Sequence, residues 1–117
     1  MKLEPIPAPD LAAMSIKELW CLQDLYQQLA AATGFFLNQP RFRGQAYRHG
    51  DDVWQGLCRT REDIVVEMQT RQPVNHFEVE ARANVLLTHL ATYGDFGDVI
   101  GTAREAEAQL EALKVAA

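Results

Sequence analysis

The stretch Asn75–Tyr93, NHFEVEARANVLLTHLATY, decides the fold class. Asn75 followed by Glu78 is a capping-box signature, in which a short polar side chain and an acid three residues on satisfy the first free amides of a helix. Behind it Val79, Ala83, Leu86, Leu90 and Tyr93 recur at spacings of four and three, which puts all five on one helical face. Gly94 closes the segment.

The reading extends in both directions. A fourth helix is expected from near Asp98, where Val99, Ala103, Ala106, Leu110 and Leu113 keep the same spacing to the end of the sequence. Alanine at two of those seam positions implies close approach of a partner helix. Upstream, Pro73 ends a second helix, because the residue before proline disfavours helical backbone. That helix runs from a cap at Asp51 or Asp52 to about Arg71, with a stripe of Trp54, Leu57, Arg61, Ile64 and Met68 flanked by Cys58 and Val65. The first helix opens on the capping box Ser15/Glu18 and runs from Ile16 to about Ala32, with Gly34 as a natural stop and the Phe35–Leu37 run able to carry one further turn. Its apolar positions are Ile16, Leu19, Leu22, Tyr26 and Leu29, with Trp20 and Leu25 beside them. Residues 1–14, punctuated by proline, read as an extended arm, and 15–117 as a single helical domain.

Nothing alternates with period two, and no Asn-Gly or Asp-Gly turn occurs. The expected fold is therefore all-α and four-helix bundle-like. Short connections make helices two and three, and three and four, antiparallel neighbours. The connection between helices one and two is expected to be long, seventeen residues from Gly34 to Gly50. It can reach roughly 55 Å extended, against about 30 Å for a twenty-residue helix, so either docking direction of the first helix is open. A short helix from Pro40 to about Arg48 fits within it.

That same stretch, GFFLNQPRFRGQAYRHG, contains no acid in a chain of net charge −5. Arg41, Arg43, Arg48 and His49 are interleaved with Phe35, Phe36, Phe42 and Tyr47. Arginine and aromatic residues are enriched at protein–protein hot spots, and the same mixture serves phosphate contact and base stacking. The remaining reading is that Phe35, Phe36, Leu37 and Phe42 cover one end of the bundle. Arg61 interrupts an apolar row, and a charge there must either reach water past its neighbours or pair, with Asp24 or Glu18 as partner.

Elsewhere the residues point away from chemistry. The one serine, Ser15, is used as a cap, so serine nucleophilic catalysis has no candidate. Cys21 and Cys58 form no CxxC pair and are expected as buried structural thiols, which favours a reducing, cytoplasmic setting. No glutamate precedes a histidine at di-iron spacing. His76 and Glu80, four apart, read as a solvated pair. Glu62, Asp63 and Glu67 sit within helical reach of Arg59 and Arg71, as surface ion pairs do. Neither a P-loop nor a dinucleotide fingerprint occurs. The amino-terminal residues resemble no leader peptide, and no stretch approaches the roughly twenty apolar residues of a membrane span.

The expectation is a non-enzymatic helical protein with no metal and no cofactor. It works as an adaptor, accessory subunit or regulator through protein–protein contacts and self-associates, most simply as a homodimer. Arg41, Phe42, Arg43, Tyr47, Arg48 and Arg61 are the candidate partner-binding residues. The alternatives are a nucleic-acid or anion-binding regulator using the loop 35–50, and a small helical enzyme with carboxylate chemistry.

Overall fold

Each helix begins where a side chain can take up its free amides. The computed structural model describes residues 8–116. In α1 (Ile16–Leu37) the Glu18 N–H donates to Ser15 Oγ at 3.1 Å, and the Ser15 N–H donates to the Glu18 carboxylate at 3.2 Å. α3 (His76–Tyr93) opens with the Glu78 N–H donating to Asn75 Oδ1 at 2.8 Å. Here the returning carboxylate bonds the Val74 amide at 3.0 Å, one residue earlier than a standard box requires. α4 (Phe96–Ala116) starts two residues before the expected position, because Asp95 accepts from the Asp98 N–H at 2.8 Å. α2 (Gly44–Gln69) is the exception: Arg43 precedes it without any side-chain cap.

The described residues form no strand and four long helices. α1 and α2 make one hairpin, and α3 and α4 make another joined by only Gly94 and Asp95. α3 also packs on α1 and α2, whereas α4 lies almost wholly against α3. The core sits where three helices meet: Ile16 and Leu19 of α1, Ile64, Val65 and Met68 of α2, Ala81, Val85 and Leu86 of α3. The expected seam of α4 does face α3, yet none of its residues is fully buried.

The long connection between the first two helices is corrected to six residues, Asn38–Arg43. Gly34 does not stop α1. Helical backbone passes through it, and the Trp54 indole packs beside it, its Nε1 3.5 Å from where a Cβ would stand, an ordinary contact distance. Gly50 likewise lies inside α2, with the Leu37 side chain against it. The positive-φ glycine is Gly44, at φ 59°, where the chain turns into α2. The residues expected as a separate short helix are the end of this turn and the first turn of α2 itself. With so short a link, α1 and α2 run antiparallel, which settles the docking direction of α1.

The amino-terminal arm is also corrected over its described part; residues 1–7 lie outside it. Leu11–Ala13 form a 3₁₀ turn, and Leu11 and Met14 pack against the core. Arg71 fixes this turn by donating to the carbonyls of Met14, Leu11 (2.8 Å) and Ala12 (3.1 Å), while pairing with Glu67 at 2.9 Å. The Glu67–Arg71 pair was expected as a surface contact, and its greater part is to hold the N-terminal segment.

The molecule is thin and long, 58 × 37 × 16 Å, with a radius of gyration of 17.4 Å. A compact chain of this length has a radius of gyration of roughly 13 Å. The tip of the α1–α2 hairpin holds no fully buried residue: Ala30 is the last in α1, and no residue of α2 before Ile64 is fully buried.

Candidate interaction surface

α1 carries two apolar seams. Ile16, Leu19, Gln23, Tyr26 and Ala30 face the core, spaced three and four. Leu22, Leu25, Leu29, Ala32 and Phe36 form a second row at the same spacing, the repeat that coiled-coil helices use to meet a partner. From Leu25 onward that second row is open: Leu25 is 51% exposed, Leu29 42% and Phe36 46%, whereas Leu22 is half-buried and packs against the core. In the sequence the two rows merge into one broad apolar helix.

The row runs into the tip of the hairpin. There Phe36 packs edge-on to Phe35 at 5.8 Å between ring centres and tilts against Phe42 at 6.3 Å. The Arg41 guanidinium lies 5.9 Å from the rings of both Phe36 and Phe42, within cation–π range. Arg43 donates from Nε to the Pro40 carbonyl at 2.7 Å, tying its side chain back onto the turn. Arg41, Arg43 and Arg48 have no ion-pair partner among the described residues. The phenylalanines therefore do not cap a bundle end: Phe35 and Phe36 are exposed, and only Phe42 is half-buried.

Of the six residues singled out from the sequence, five come together at this tip. Arg41, Phe42 and Arg43 lie in the turn, and Tyr47 and Arg48 in the first turns of α2. Arg61 stands apart, roughly 20 Å further along α2 at 1.5 Å per residue. It is half-buried, pairs with neither Asp24 nor Glu18, and its Nε is buried without a hydrogen-bond partner. The fully buried arginine is instead Arg82, 7% exposed.

No protein-family model matches the chain, nor does any curated protein or solved structure. The surface is thus read from its own chemistry. Among the described residues no three His, Cys, Asp or Glu side chains gather at metal-binding geometry. No described helix is long and apolar enough to cross a membrane. The expectation of two buried thiols is corrected: Cys21 is exposed beside Leu22 and Leu25, and Cys58 is half-buried. Both sit at the border of the inner face, where periodicity alone does not separate core from rim. His76 and Glu80 do form the expected solvated pair, at 2.9 Å with both side chains about two-thirds exposed or more (70% and 67%).

A second concave feature lies on the other side of α1, and sequence reasoning missed it. Trp20, Gln23, Asp24 and Gln27 face Phe77, Glu80, Ala81, Asn84, Val85 and Thr88 of α3 across a half-open groove of 490 Å³. Trp20 and Phe77 meet edge-to-face at 5.6 Å and form one apolar wall. Gln23, at the floor, is 3% exposed, and neither its amide nitrogen nor its amide oxygen has a hydrogen-bond partner. The one available signal is a glutamine in register with Leu19 and Tyr26 on the core seam.

Proposed function

We propose that this chain acts through protein–protein contacts, as an adaptor or accessory subunit, and pairs with a second copy of itself along α1. The observation that carries the reading is the open apolar row Leu25, Leu29, Ala32 and Phe36, with half-buried Leu22 at its edge. Exposed area is consistent with it. The chain presents 8360 Å², against roughly 6,400 Å² for a compact protein of its mass. The surplus of roughly 1,900 Å² reflects the elongated shape of the whole molecule, of which the open row is one part.

Charge selects the orientation. Parallel pairing would bring two arginine tips together. Antiparallel pairing about a two-fold axis at Leu29 places Glu18 of one copy opposite the Pro40–Arg41 turn of the other, and Leu22 opposite Phe36. A two-fold axis makes each of these contacts twice, with no exposed remainder to propagate.

Light scattering across a concentration series tests this. The expected mass is twice 13.2 kDa, falling to the single-chain value in Leu25→Glu/Leu29→Glu with helicity retained. A wild-type mass of one chain at every concentration would overturn it.

The arginine–aromatic tip favours one second reading, an acidic ligand such as single-stranded nucleic acid. It predicts binding that falls steeply with salt and is lost in Arg41→Ala/Arg43→Ala/Arg48→Ala. A low-salt gel shift showing no retardation removes it.

A further inference from the structure

We propose that the groove between α1 and α3 binds a small organic cation carrying a carboxamide-type donor–acceptor edge. The argument begins with Gln23. A buried amide left without partners costs free energy on both its N–H and C=O sides. A leucine of similar volume would fill the same seam without that cost. Gln23 lines an open cavity whose 490 Å³ falls within the size range of small-molecule sites. Turning Gln23 toward the groove lets one neighbouring acceptor and donor on a ligand satisfy both ends together.

The walls define the rest of the ligand. Asp24 and Glu80 contribute carboxylates and no lysine or arginine lines the groove, which disfavours phosphates and carboxylates and favours positive charge. The Trp20 and Phe77 rings supply an apolar face, and a cation over an indole is attracted to it. Asn84 and Thr88 add neutral polar contacts along α3. By helical periodicity the groove and the Leu22–Leu25–Leu29 row lie on opposite sides of α1, so pairing along that row leaves the groove open. The site is therefore independent of the dimer reading, and the ligand is a free small molecule.

L-argininamide is a suitable probe, since it joins cationic groups to a carboxamide. In a Trp54→Phe background Trp20 is the sole indole and reports on the groove. Titration is expected to give a saturable change in its emission through the millimolar range. Asp24→Asn is expected to weaken binding by about tenfold, the size of one charged contact. Gln23→Leu is expected to abolish binding while raising the melting temperature, so loss of binding there is not loss of fold. Absence of a saturable change would overturn the proposal, as would binding that survives both substitutions. A fall in molecular mass at saturating argininamide would assign the groove to the second copy, and would equally overturn it.

Discussion

Replacing Arg82 with alanine is expected to destabilise the protein by about 3 kcal/mol, enough to lower its melting temperature by roughly 10–20 °C. Arg82 donates from Nε to the Met68 carbonyl at 3.1 Å and from Nη2 to the Gln69 carbonyl at 3.2 Å, at the end of α2. Its Nη1 meets the Glu105 carboxylate of α4 at 2.5 Å. One side chain thus satisfies the last carbonyls of one helix and anchors another. The two roles separate experimentally. Glu105 is half-exposed, with side-chain accessibility of 49%, and can return to water. Glu105→Ala should therefore cost about 1 kcal/mol or less. If the two variants lose equal stability in denaturant titration, the carbonyl contacts are not what holds Arg82.

Two leucines on α1 should give opposite results. Leu19 has no exposed surface and lies in the three-helix core. Leu19→Ala is expected to cost about 3 kcal/mol through lost burial and the cavity left behind. Leu25 is half-exposed on the open row, and Leu25→Ala should cost a single chain about 0.5 kcal/mol or less. Its effect should fall on self-association instead. Chemical denaturation at low and high protein concentration distinguishes these, because stability gained by pairing depends on concentration. A large, concentration-independent loss in Leu25→Ala would place that row in the fold of the single chain.

Features that depend on neighbours in sequence were legible from the residues alone. The caps at Ser15 and Asn75 are decided within one helical turn, and α3 was located to the residue. The seam of α4 was also placed correctly, since five apolar residues at regular spacing leave little choice of face. Features decided by distant neighbours were not legible. Gly34 carries the ordinary signal for a helix end, yet α1 continues through it to Leu37, where its far end packs along α2. α1 is apolar around much of its circumference, so its sequence cannot say which of two rows a partner helix will cover. Arg61 and Arg82 show the same limit. Arg61 interrupts an apolar row and Arg82 lies beside one, but the carbonyls that make burial tolerable for Arg82 lie thirteen and fourteen residues away. The tip was recognised by its lack of acids, whereas the groove depends on α1 and α3 meeting across a gap in sequence.

The three connections between helices are short: Asn38–Arg43, Thr70–Asn75 and Gly94–Asp95. Most neighbours in space are consequently close along the chain, and loop closure adds little to the barrier to folding. Helical proteins of this kind fold in microseconds to milliseconds, far faster than two such chains meet at ordinary cellular concentrations. The hairpin is then complete before any encounter, with its apolar row already formed. The proposed pairing would then be a collision between finished surfaces, and its rate should scale with protein concentration while the folding rate of each chain does not.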